Sequence, residues 1–129
     1  MGEIMANSVR HFKRLMKAEL EDLIEDIGLL EEHYRERFAG EDITPYVFQE
    51  NEALLMREID SINKFIQIVD GIDTRLYKDT SGFESDLTAR AKDLVDHFDD
   101  PEAVYLFIKR KIDKVHMYLA SGETTPGNP

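Results

Sequence analysis

Any chemistry in this chain would have to come mainly from carboxylates, because the sequence has no cysteine and only four histidines. Asp22 and Asp26 lie one helical turn apart. In an antiparallel hairpin turning at residues 40–43, Asp26 would lie level with Arg57 and Glu58. Facing carboxylates supply the oxygen ligands that Mg²⁺ and Mn²⁺ prefer. Asp22, Asp26 and Glu58 are therefore the candidate metal ligands; an Asp26–Arg57 ion pair, with Glu58 reaching solvent, is the structural alternative.

A metal at this place would favour a metal-dependent nucleotide phosphohydrolase. All-α nucleotide pyrophosphohydrolases hold a metal between helices, but their paired glutamates are followed downstream by Glu-x-x-Asp. The pair Glu31-Glu32 has no such motif after it, and the only match, Glu19 to Asp22, lies upstream. The phosphohydrolase is therefore the second of two functions that we carry forward.

Other catalytic motifs are not found in the sequence. Di-iron bundles need Glu-x-x-His, whereas the residues three before the histidines are Ser8, Leu30, Leu94 and Asp113. The metalloprotease, nucleophile-elbow and phosphate-loop motifs are absent as well. We therefore expect no cofactor and no catalytic residue, and we favour a non-enzymatic function.

The charge of the chain limits its partners. With 27 acidic and 16 basic side chains, the formal net charge is −11. Such a chain repels nucleic acid and anionic lipid, so neither nucleic acid nor membrane is an expected partner. No apolar run approaches the ~20 residues of a membrane span, and the first residues lack an apolar signal core. Cytoplasmic residence is the expectation.

Apolar residues at steps of three and four predict an all-α fold with four helices. Two are long, at about 8–38 and 45–77, and two are shorter, at about 82–98 and 101–120. Their starts are marked by Ser8 as N-cap, by Thr44-Pro45, by a capping box from Ser81 to Glu84, and by Asp100-Pro101.

The connections are short, so neighbouring helices should be antiparallel. We predict one helical-bundle domain over residues 1–121 and a disordered tail over 122–129, which has no apolar anchor. The alternative is a three-helix bundle whose last helix is kinked at Pro101. Asp73 falls within the second apolar stripe in this scheme, and Arg10 is its predicted ion-pair partner.

Unequal helix lengths carry the functional prediction. Two short helices cannot cover the whole apolar face of two long ones, and exposed apolar surface of this kind usually binds a partner. The candidate partner-binding residues lie on the stripe of the second helix: Leu55, Ile59, Ile62, Phe65 and Ile66. We expect a homodimer or a groove for an unknown protein partner. The favoured function is a non-enzymatic, intracellular binding or adaptor protein, chaperone-like in character, that acts through hydrophobic helix–helix contact.

The charges predict an electrically dipolar hairpin. Basic residues begin the first helix, and acidic residues surround the turn between the two long helices. Solvated faces explain most of this pattern. The functional alternative is that one end docks a charged partner.

Overall fold

The computed structural model describes the backbone of residues 2–121 and the side chains of residues 8–121. It is an antiparallel helical bundle, as predicted, with no strand in the described part of the chain. The predicted disordered tail lies outside the described residues. The elements are α1 (Gly2–Ala39), α2 (Pro45–Asp70), a 3-10 turn (Thr74–Leu76), α3 (Thr80–Phe98) and α4 (Glu102–Ala120).

The two long helices form an antiparallel hairpin. Lys17 Nζ lies 2.6 Å from Asp70 Oδ1 near its open end, and Arg35 lies 3.2 Å from Glu52 near its closed end. This register differs from the predicted one by about one helical turn. Asp26 is consequently not level with Glu58.

The two shorter helices also fold back on each other. His116 Nδ1 lies 2.8 Å from Glu84 Oε2 at one end of the pair, and Lys92 Nζ lies 5.7 Å from the Tyr105 ring centroid toward the other. The chain therefore reverses at residues 99–101, and the alternative of a single rod kinked at Pro101 is wrong.

The second helix ends earlier than predicted. Gly71 terminates α2, and residues 72–77 form a loop with one 3-10 turn. Asp73 caps this turn by accepting a hydrogen bond from the Arg75 backbone N–H at 3.0 Å, and it also pairs with the Arg75 guanidinium. The predicted pair with Arg10 is wrong because Asp73 lies outside the helix that would have aligned them.

Three predicted N-caps also differ from the structure. Ser8 lies inside α1. Asp79, not Ser81, caps α3 by accepting from the Gly82 N–H at 2.8 Å. Asp100 does not cap α4, which begins after Pro101 without a side-chain cap. A carboxylate two residues further out gives α3 an equally good acceptor and a longer helix.

The end of α1 is closed by a Schellman motif. The Glu41 N–H donates to Phe38 O at 3.0 Å, and the Asp42 N–H donates to Arg37 O at 2.8 Å. This geometry needs one residue in the left-handed region, and that residue is Glu41, with φ 64°, rather than the glycine before it. Gly40 was the predicted stop and lies one position too early.

One continuous hydrophobic core holds the bundle together. Its members come from all four helices, but those of the long hairpin are confined to Val9–Ile27 and Leu55–Ile72. Lys13 closes the base of this region by donating to the Asp70 and Ile72 carbonyls at 3.0 and 2.9 Å. A cation there satisfies carbonyl groups that the end of α2 leaves unpaired. None of the helices in the described chain is long and apolar enough to cross a membrane.

Candidate docking surface

The closed end of the long hairpin projects beyond the shorter helices, and we call residues 28–54 the hairpin arm. The reversal between α3 and α4 meets α2 at Arg57, which donates to Asp99 O at 2.9 Å, and at Ser61, which donates to Asp100 Oδ2 at 2.8 Å. No side chain between residues 28 and 54 is classed as buried, whereas Ile27 and Leu55 on either side of the arm are.

The apolar stripes of both helices continue into the arm. On α1, helical spacing places Leu30, Tyr34 and Phe38 in line with the buried Ile27. Leu30 is 44% exposed and Phe38 36% exposed. The residues that α3 and α4 cover lower in the bundle thus give way to apolar residues that are only partly covered: Tyr34 is half-buried at the edge of the core, and Leu30 and Phe38 are exposed.

The same change occurs on α2. Leu55 is 5% exposed, but its neighbour Leu54 is 43% exposed and Val47 is 38% exposed. We call the surface between these two stripes the arm groove; it is lined by Leu30, Tyr34, Phe38, Val47 and Leu54. Tyr46, which is 71% exposed, is the second residue of α2.

The arm is held together by a few specific contacts. The Phe38 and Phe48 rings stack across the hairpin with centroids 4.6 Å apart and an interplanar angle of 7°. Arg35 bridges Glu31 and Glu52 at 3.3 and 3.2 Å. These contacts fix the relative position of the two helices without providing a core, so the arm presents a formed surface that is weakly stabilised from within.

The arm is strongly acidic. Only two basic residues, Arg35 and Arg37, occur in it. Arg35 is already paired with two carboxylates, and those carboxylates raise its pKa. The arm contains seven acidic residues: Glu31, Glu32, Glu36, Glu41, Asp42, Glu50 and Glu52. The net charge of the arm is therefore negative.

Glu58 is the one carboxylate buried at the base of the arm. It is 6% exposed and lies on α2 between Leu55 and Ile62, level with the reversal that Arg57 and Ser61 contact. Among residues 8–121 it has neither a hydrogen-bond partner nor an ion-pair partner. Burial raises the pKa of its carboxyl group above the ordinary value of 4.5, because the charged form loses hydration.

The candidate metal ligands are not brought together. Asp22 and Asp26 are exposed on α1, whereas Glu58 is buried on α2. In the described part of the chain, no three histidine, aspartate or glutamate side chains are arranged to hold a metal ion. The geometry therefore gives the phosphohydrolase hypothesis no support.

Most of the predicted partner-binding residues lie in the core of the chain itself. Leu55, Ile62 and Phe65 are buried, and Ile59 and Ile66 are half-buried against the same core. The apolar pattern of α2 also includes Val47 and Leu54, which are exposed. The sequence does not distinguish them from the buried residues, because only the position of the α3–α4 reversal shows which part of the stripe stays uncovered.

A second depression, between α1 and α4, is lined by Leu15, Glu19, Val115 and Tyr118. Lys111 and Lys114 both contact Glu19 Oε1, at 3.1 and 3.0 Å. Burial tends to raise the pKa of Glu19, but these two cations outweigh it and lower the pKa. Its charge is satisfied within the chain, and the two lysines tie α4 to α1.

Comparison with protein families, with curated proteins and with solved structures gives no match for this chain. The geometry of the arm is therefore the basis for inferring a function.

Proposed function

We propose that this chain is a non-enzymatic binding or adaptor protein that docks an amphipathic helix of a partner protein in the arm groove. The observation that carries the proposal is the continuation of both apolar stripes past the point where α3 and α4 end. Soluble proteins rarely expose such a contiguous apolar surface unless something binds it. A chaperone-like role, in which the arm shields a helix of its partner, belongs to this proposal.

The dimensions of the arm favour a helix as the occupant. Its α1 portion, residues 28–39, is about 18 Å long at the α-helical rise. A helix of about three turns would fill this length and extend the layer that α3 and α4 form lower in the bundle. Helix-in-groove recognition commonly uses apolar anchors at such spacing.

A second copy of the chain is the other occupant to consider, and it was the sequence-based expectation. Two arms side by side would bring two strongly acidic surfaces together, and like charges across an interface oppose association. We therefore favour an unlike partner. We propose that this binding takes place in the cytoplasm.

A displayed library of amphipathic helical peptides tests the proposal. The wild-type chain should enrich peptides with apolar residues at helical spacing. The double variant Leu30→Gln, Leu54→Gln should lose this enrichment, whereas the control variant Leu106→Gln, which changes an exposed leucine of α4, should keep it. Circular dichroism verifies that all three proteins remain folded.

Light scattering at high protein concentration completes the test. We expect a monomer. A dimer that the Leu30→Gln, Leu54→Gln variant abolishes would identify a second copy as the occupant. Failure of the wild-type chain to enrich any peptide, together with a monomeric state, would refute a docking function for the arm.

A further inference from the structure

We propose that the helix bound in the arm groove is basic, and that one of its lysine or arginine side chains pairs with the Glu58 carboxylate at the inner end of the groove. This inference rests on the docking function proposed above. It adds the chemistry of the partner and the position of one contact.

Glu58 lies in an apolar environment without a counter-charge from the described chain. Its neighbours along the stripe, Leu55 and Ile62, are buried apolar residues, and no described cation lies within ion-pair distance. The side chain is largely desolvated, although its carboxylate oxygens keep some contact with water, since no partnerless side-chain oxygen of the described residues is fully buried. A carboxylate that loses most of its hydration without gaining a partner is costly, so buried charges are normally paired. Both cations of α2 are engaged elsewhere: Arg57 donates to Asp99 O, and Lys64 lies 3.8 Å from Asp100.

The cover that α3 and α4 provide over α2 ends beside Glu58. Arg57 and Ser61 contact the α3–α4 reversal. Leu54, which precedes Glu58 by one helical turn on α2, is exposed. Glu58 therefore lies at the boundary between the covered core and the open groove. A basic side chain at the end of a docked helix would reach this boundary and supply the missing counter-charge.

Carboxylates lie on the same helix faces as the apolar residues of the groove. Helical spacing puts Asp26 on the same face of α1 as Leu30, and Glu50 on the same face of α2 as Leu54. Glu41 and Asp42 lie at the tip of the arm. Arg37 is the arm's only cation without a carboxylate partner among the described residues, so carboxylates outnumber available cations. Complementary charge on the partner would set its specificity and speed its association.

A second displayed library tests the chemistry directly. Its peptides keep leucine at the apolar positions and allow lysine, glutamine or glutamate at each flanking position. The wild-type chain should enrich lysine at several flanking positions. The Glu58→Gln variant should lose this preference at one position near a peptide end and keep it at the others.

Glu32→Gln is the matched control. It removes the same charge from an exposed position of the arm, on the side of α1 away from the Leu30 stripe, and should leave the selected pattern unchanged. The best lysine peptide should bind the Glu58→Gln protein about tenfold more weakly than wild type, as expected for loss of one member of a desolvated pair. Thermal unfolding of that variant should show equal or greater stability, which a merely structural role of Glu58 would not produce.

The outcomes separate the two proposals. Enrichment of the apolar positions without any preference for lysine would overturn this inference and leave the docking function standing. A preference for lysine that Glu58→Gln does not alter would overturn the assignment of Glu58. Enrichment of glutamate would overturn the basic partner, and absence of all enrichment would overturn the docking function itself.

Discussion

Replacing Glu58 with leucine should stabilise the fold. Core carboxylates are usually retained because a partner compensates their charge, and removing such a residue destabilises the protein. Glu58 has no such partner in the described chain and is 6% exposed. Leucine fills a similar volume and agrees with the apolar neighbours on either side of it.

The magnitude follows from two contributions. Burying a leucine side chain stabilises a protein by about 1.5–3 kcal/mol relative to leaving it exposed. Replacing Glu58 also removes the desolvation penalty of its charge. This penalty is smaller than that of a fully buried carboxylate, because the side chain keeps some contact with water. Packing strain from a new side chain opposes both effects. We expect a net gain of about 1–3 kcal/mol, which corresponds to about 3–5 °C in Tm for each kcal/mol in a chain of this length.

The effect should depend on pH in one direction. Because burial raises the pKa of Glu58 above 4.5, the folded protein holds this proton more tightly than the unfolded chain does. The destabilisation is absent below the ordinary pKa, grows as the pH rises through the interval up to the raised pKa, and is complete above it. The difference in unfolding free energy between Glu58→Gln and wild type should therefore be larger at pH 7 than at pH 4.

Urea unfolding followed by circular dichroism measures these differences. Glu32→Gln serves as the control, since an exposed glutamate should change stability by no more than about 0.5 kcal/mol at either pH. Destabilisation of Glu58→Leu by 1 kcal/mol or more, with Glu32→Gln unchanged, would show that the Glu58 carboxylate has a stabilising partner and would refute the reasoning.

Four further outcomes follow from the structure. Glu41→Gly should raise the free energy of unfolding by about 0.5–1 kcal/mol, because glycine adopts positive φ without the penalty of a side chain; a decrease in urea midpoint would contradict this. Phe83→Ala should lower it by about 3–5 kcal/mol, since the ring is fully buried and makes two edge-to-face contacts at 5.6 and 5.0 Å; a loss under 1 kcal/mol would be inconsistent with that packing. Ser61→Ala should cost about 1 kcal/mol through its lost hydrogen bond, and combining it with Asp100→Asn should give less than the sum of the two single effects. In hydrogen-exchange mass spectrometry, amides of residues 28–54 should exchange faster than those of the covered half of the hairpin, because the arm has no buried core; equal protection would show that the arm is covered in solution.

Local patterns in the sequence were sufficient to predict four helices and their antiparallel order. Apolar spacing, the Thr44-Pro45 start and the breaks near residues 40 and 100 act over a few residues, where backbone sterics and hydrogen bonding decide the outcome. The helix ends were less well predicted. Asp79 competes with Ser81 as a cap, and Glu41 takes the conformation expected of glycine, because several neighbouring residues can satisfy the same backbone groups.

The register of the hairpin and the extent of its cover were decided only in three dimensions. A shift of one helical turn between α1 and α2 separates Asp26 from the level of Glu58, and no short-range pattern encodes that shift, since it depends on how whole apolar faces interlock.

The sequence by itself determined that the chain has more apolar helix surface than its shorter helices can cover. The tertiary structure decided where the uncovered surface lies. The α3–α4 reversal ends against Arg57 and Ser61, so Leu55, Ile62 and Phe65 are buried while Leu30 and Leu54 remain exposed. The physical reason is that burial depends on which residues of distant helices meet, and this is fixed by packing of the whole bundle rather than by the spacing of residues within one helix.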